Sequence, residues 1–224
     1  FSSLYSNVYH INPPTAIKQV GKFQRIERQS LDNPHRHHHV RSFDLKSTGN
    51  AINARLLLFY NDDVDISIAK IDKSMNSFYR NGHNDEIIYI QSGSGKFYSN
   101  FGNMDLLQGD YIVIPRGVIW KIEVDEKMKQ FIMETKGPVE TPAKYRNSHG
   151  QLLEHAPYTE RDIRIPKLYD TINEGTCTIK TKINGGYQDY EYVHHPLDII
   201  GWDGYYYPWI LNIKDFMPIT GKIH

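Results

Sequence analysis

The polar and apolar positions of this chain alternate over short stretches, and no long segment carries the three-to-four residue spacing of an amphipathic helix. Leu56–Tyr60 is a dense apolar run and predicts a buried strand. In the next stretch Val64, Ile66 and Ile68 alternate with Asp65, Ser67 and Ala69, which predicts a strand with one face buried and one wet. Asn61-Asp62-Asp63 between them is turn chemistry. Two further β-branched runs, Glu86–Ile90 and Asp110–Ile114, flank a Gly/Ser-rich stretch that reads as a turn. Ile122–Val124 and Phe131–Met133 follow as closing strands joined by a charged turn, Asp125–Lys129. Past Gly137-Pro138 the texture changes, and Pro142, Pro157 and Pro166 interrupt any long element. Ser148 and Gln151 have the spacing of a helix capping box there. Near the end, Thr176–Lys182 and Tyr187–Val193 predict a hairpin around Asn184-Gly185-Gly186. The pattern is mainly all-β and divides into an arm at 1–43, a barrel at 44–136, and a connecting region with the start of a further unit at 137–224.

Composition narrows the classes of function. Acidic and basic residues balance at 26 each, so no basic field argues for nucleic acid. A single cysteine, Cys177, excludes an intrachain disulfide framework. No apolar run is long enough to span a bilayer as a helix, and the expectation is a soluble, cytoplasmic protein. Sixteen tyrosines favour sheets and large buried or interface surfaces. Pro13-Pro14 predicts an extended arm, with Leu4, Val8 and Tyr9 available to pack on the barrel or on another subunit. The aromatic tail, Trp202 to Phe216, reads as core or interface before it reads as a substrate pocket.

Histidines are the obvious metal candidates. His35, His37, His38 and His39 flank Arg36, but no cysteine stands near and Asp32 is the one nearby carboxylate, so a solvated loop is the expectation. His83 precedes Glu86 by three residues, and on an extended strand these would face opposite sides.

The spacing between Gly109, Pro115 and Gly117 resembles the second signature of the cupins, small jelly-roll barrels, and Glu86 with Gly93 resembles the end of the first. Metal-binding cupins carry His-x-His before that glutamate and a further His after the second signature. Here the corresponding positions are Arg80 and Gly82, or Tyr79 and Asn81 in the other register, and then Trp120. One carboxylate with a displaced histidine is not a metal site, so the resemblance implies a metal-free barrel filled by side chains such as Trp120.

Two distant blocks extend the likeness. Tyr145–Arg164 and Asp198–Pro208, with the Leu4–Tyr9 opening, resemble the homogentisate 1,2-dioxygenase family, above all its prokaryotic members. That resemblance implies a two-barrel protein that cleaves homogentisate with O2 to maleylacetoacetate in tyrosine and phenylalanine breakdown. It implies one Fe(II) held by two His and one Glu in the second barrel, with open positions for substrate and O2. Those ligands would lie downstream of the segment matching Phe216–His224, so none is assigned to a residue here, and the expectation is a piece of a longer chain. His224 falls near the family's acid/base histidine and is the candidate catalytic residue. The implied partners are a small aromatic acid, O2, and further copies of the chain in trimers or hexamers. A non-catalytic cupin relative that binds a small molecule or a protein, and a dioxygenase for a related aromatic acid, are the alternatives.

Overall fold

The computed structural model describes residues 4–30 and 36–217. The chain opens with an arm of three short strands, β1 (Ser6–His10), β2 (Ile17–Val20) and β3 (Gln24–Arg25). The body follows as β4 (Leu56–Tyr60), β5 (Val64–Ile71), β6 (Phe78–Asn81), β7 (Asp85–Ser99), β8 (Gly102–Leu106), β9 (Asp110–Ile114) and β10 (Ile119–Thr135). Residues 136–162 run as loop with two 3-10 turns, and then come β11 (Ile163–Arg164), β12 (Cys177–Ile183), β13 (Gly186–Tyr192), β14 (Ile199–Gly204) and β15 (Trp209–Asn212). The architecture is a mainly-β, cupin-like jelly roll whose sheet path runs β11-β15-β9-β7-β10-β6-β12-β13-β2, with the ends unjoined.

Two long strands, β7 and β10, form its spine and pair antiparallel over nearly their whole length. The predicted turns at the Gly/Ser stretch and at Asp125–Lys129 are not turns. Both strands run through, and the register shifts at Val124/Glu126, Glu126/Lys129 and Lys129/Gln130 bend them together. The bend lets β7 exchange neighbours, from β9 at Glu86–Tyr89 to β8 at Gly95–Ser99. Glycine makes the crossing possible: a Cβ on Gly93 would stand 2.3 Å from the Lys127 carbonyl oxygen, and φ there is +87°. Charged residues between apolar runs therefore mark a solvated bend, not a reversal.

Other expectations hold in detail. β9 ends at Ile114, just before Pro115, and Gly109 and Gly117 adopt φ of +91° and +87°. Asn184 and Gly185 take φ of 51° and 73° and connect β12 to β13. The β12–β13 hairpin joins the body by parallel pairing with β6, Ile179 opposite Phe78. The arm folds onto its own chain: β1 pairs with β14, and β2 and β3 pair with β13. Its anchor is the buried Asp198 carboxylate, which pairs with His10 Nδ1 at 2.5 Å and accepts from the Asn12 amide at 2.9 Å. Trp202 packs edge-on to Phe101 and against Tyr207, beside the main core of Trp120, Phe97, Ile88 and Ile132.

Three local readings are corrected. On β5 the polar side is not wet: Asp65, Ser67 and Ala69 are buried because the interior at this end is ionic, while on the other side Val64 and Ile66 are half-buried and Ile68 is buried. β4 is not buried: Leu56–Leu58 are half-buried and Phe59 and Tyr60 exposed. Ser148 and Gln151 make no capping box, since Asn147 Oδ1 accepts from the amides of both His149 and Gln151.

Gly93→Ala and Gly117→Ala separate crowding from backbone strain, because both residues sit at φ +87° but nothing lies within 4 Å of a Cβ on Gly117. Urea unfolding should show Gly117→Ala costing about 1 kcal/mol and Gly93→Ala about 2–4 kcal/mol. Equal losses would remove the close crossing as the reason for Gly93.

Candidate functional site

The interior of the jelly roll is apolar at one end and ionic at the other. At the ionic end Arg55, just ahead of β4, turns inward with its side chain 6% exposed. Its Nη1 donates to Glu86 Oε1 at 2.6 Å and to Glu134 Oε1 at 3.1 Å. Glu86 is the second residue of β7 and Glu134 the second-last of β10, and the pairing of these strands sets the two directly opposite one another. Their side chains are 0% and 5% exposed. Carboxylates so far from water need a cation and hydrogen-bond donors. Asn81 Nδ2 donates to both, at 3.2 Å to Glu86 and 2.8 Å to Glu134. The Tyr79 hydroxyl lies 3.4 Å from Glu86 Oε1. Lys182 on β12 donates to Glu134 Oε2 at 2.5 Å and lies 3.6 Å from Asp65 Oδ2, which also accepts from Arg28 at 2.5 Å. Charge thus alternates from Glu86 in the core to Arg28 at the surface.

Aromatic rings enclose the inner end. The Arg55 guanidinium lies 5.3 Å from the Tyr79 ring centroid and 5.8 Å from that of Trp120, and these two rings meet edge-on at 5.2 Å. The outer end opens into a cleft of about 780 Å3 lined by Arg28, Leu56, Asp65, Glu134, Lys182 and Tyr187 among others.

The pairing sets the protonation of these groups. Burial alone would raise the Glu134 pKa, but the charges of Arg55 and Lys182, with hydrogen bonds from Lys182 and Asn81, hold it below the ordinary carboxylate value. Burial raises the Tyr79 phenol well above its usual pKa, Glu86 and Glu134 raise it further, and it stays protonated at neutral pH. Arg55 is held charged by Glu86 and Glu134 against the opposing effect of burial. The cluster is a set of fixed charges, and its one hydroxyl beside a carboxylate, the Tyr79 phenol, is held protonated.

Tyr79, Asn81, Glu86 and Trp120 converge here, so the cupin register is the one in which Tyr79 and Asn81 stand at the histidine positions. Arg80 points the other way, to Thr181 Oγ1 and the Tyr192 hydroxyl at 3.3 Å each. His83 lies in the bend between β6 and β7, not on an extended strand, and its Nε2 accepts from the Asn184 amide at 2.9 Å. His37, His38 and His39 are exposed. His35 and the candidate catalytic residue His224 lie outside the described residues. The arrangement does not fit a metal ion: a guanidinium already fills the space between the two carboxylates, and among the described residues no group of three His, Cys, Asp or Glu converges. Arg55 itself was not singled out by the sequence reading. Its one signal is that it is the only charged residue in the stretch Ala51–Tyr60.

A family model described as "Homogentisate 1,2-dioxygenase N-terminal" matches residues 16–213. The chain belongs to the homogentisate 1,2-dioxygenase N-terminal family. Among curated relatives of this family, a protein of Saccharolobus solfataricus named as a dioxygenase is 38% identical over all of this chain and 59% of its own length. Homogentisate 1,2-dioxygenase of Sinorhizobium medicae is 25% identical over 65% of this chain and 32% of its own length. That of Mus musculus is 28% identical over 71% of this chain and 36% of its own length. The chain therefore spans between about a third and three fifths of these relatives. Among solved structures, a cupin protein of Bacteroides fragilis matches 43% of this chain and 89% of its own, with 21% identity and a TM-score of 0.35. A cupin-2 domain protein of Shewanella frigidimarina matches 36% and 78%, with 22% identity and a TM-score of 0.33. Among the described residues no helix is long and apolar enough to cross a membrane.

The depressed pKa of Glu134 has a direct consequence for stability. Because the folded state favours the carboxylate, the stabilisation is present above the ordinary value of 4.5 and is lost as pH falls through the lower folded pKa. Unfolding titrations should therefore show stability dropping as pH falls below about 4.5, and Glu134→Gln should flatten that part of the curve. An acid limb unchanged in Glu134→Gln would rule out this carboxylate as its source.

Proposed function

We propose that this chain is the non-ligating barrel of an Fe(II)-dependent dioxygenase that opens the ring of homogentisate, with the iron held by residues outside the ionic cluster described above. The observation that carries this reading is the family match over residues 16–213. The guanidinium at the cupin glutamate supports it, because a barrel whose ligand position is already charge-paired contributes scaffold, not metal chemistry. When bound, ferrous iron would supply a centre at which a substrate hydroxyl and O2 bind side by side. The contribution of this chain is then mechanical: β7 and β10 hold the sheet, and the β12–β13 hairpin and β14 extend it. In this reading the intact protein is cytoplasmic and assembles into trimers or hexamers, and His224 is the acid/base candidate.

One observation favours a related substrate. The relative at 38% identity is named only as a dioxygenase, whereas the two named for homogentisate are 25% and 28% identical. Substrate choice follows pocket residues and not the fold.

Oxygen uptake by the intact protein, loaded anaerobically with Fe(II), decides among these readings. Homogentisate should consume equimolar O2 and give a ring-opened product, and iron chelation should abolish uptake. Uptake confined to another ring-hydroxylated aromatic acid would move the assignment to that substrate. No uptake with either, in protein that retains no iron, would leave a non-catalytic cupin relative.

A further inference from the structure

Glu86 and Glu134 are two acids with nearly no contact with water, and a single atom, Arg55 Nη1, lies within hydrogen-bond distance of one oxygen from each, at 2.6 and 3.1 Å. A guanidinium this tightly committed acts here as a point charge. The second nitrogen adds little, since Nη2 stands 3.5 Å from Glu86 Oε2. Around the same point stand the Tyr79 hydroxyl, 3.4 Å from Glu86 Oε1, and the Asn81 amide, which donates to both carboxylates and holds them convergent. Two carboxylates with a phenol oxygen, and room for water where the arginine side chain would be removed, form an all-oxygen donor set of the kind hard divalent cations prefer.

We infer that Arg55 is a resident cation standing in a divalent-metal position, and that the Glu86–Glu134 pair takes up a hard divalent ion once the guanidinium is removed. In the native chain the arginine cannot give up its proton, so this barrel stays closed to metal at every physiological pH. The inference is independent of the dioxygenase reading, because it concerns metal uptake by residues that reading assigns no chemistry.

The test compares the intact protein with its Arg55→Ala variant and uses Mn2+ alone as the probe. After dialysis against excess Mn2+, Arg55→Ala should hold one more equivalent than the parent, read by elemental analysis and by loss of the free-ion spin resonance signal. Saturating Mn2+ should raise its Tm by about 5 °C and leave the parent unmoved. Both gains should disappear in Arg55→Ala/Glu134→Gln, which removes one of the two acids. Removing the cation strands two buried charges and weakens the fold, so refolding the single variant with and without Mn2+ is the second readout. The inference is overturned if Arg55→Ala folds and binds no more Mn2+ than the parent, for instance because Lys182 swings across to both acids. It is also overturned if the extra equivalent survives Glu134→Gln, or if the variant stays unfolded with Mn2+ present.

Discussion

Glu86 and Glu134 stand side by side where water cannot reach them, and the whole ionic end of the jelly roll is arranged to neutralise them. Leaving either acid unpaired would cost roughly 3–5 kcal/mol, a large part of the stability of a typical domain. The requirement propagates from strand to strand. Arg55 must enter from the segment before β4, Asn81 and Tyr79 must face inward from β6, and Lys182 must arrive on β12. Lys182 then requires Asp65 on β5, and Asp65 brings in Arg28 from the strap after β3. A slip of one residue in any of these strands would swing its charged side chain to the other face. The network thus sets register where apolar packing alone would tolerate alternatives.

Another buried acid performs the same task at the opposite side of β7. Asp85, 0% exposed, accepts from the backbone and side chain of Arg116, from the Val139 amide and from the Tyr206 hydroxyl. It ties the turn after β9, the loop that leaves β10 and the aromatic stretch before β15 to one point. Consecutive residues of one strand, Asp85 and Glu86, therefore organise two different clusters. Asp85 gathers the later part of the chain, and Glu86 gathers the barrel interior.

The parts of the fold that were legible in the sequence are those whose cause is local. Gly109, Pro115 and Gly117 announce a turn, a strand end and a reversal through backbone stereochemistry, and Asn184-Gly185 announces its hairpin in the same way. Alternation along β5 was equally visible, but periodicity gives two sides without saying which is inside, and here both sides are buried near Ile68. Asp65 and Ser67 look wet until Lys182 and Arg28 are in place. The spine strands were cut into pieces because charged and glycine-rich bends resemble turns when the partner strand is unseen. Arg55 went unnoticed since its acid partners are 31 and 79 residues away. The lack of ligand residues at Tyr79, Asn81 and Trp120 was readable, and the cation that pairs with Glu86 and Glu134 was not.

The arm also has a temporal consequence. Ser6 pairs with Gly204, and Phe78 on β6 pairs with Ile179. During synthesis β1 emerges well before its partner β14, and the edge of β6 stays open for about a hundred residues until β12 arrives. Such long sequence separations slow folding and leave strand edges exposed to neighbouring nascent chains. The spine of β7 and β10, whose pairing is local by comparison, can form and bury Trp120 well before the hairpin arrives. Folding would then proceed outward from the bend, with the arm among the last elements to be secured.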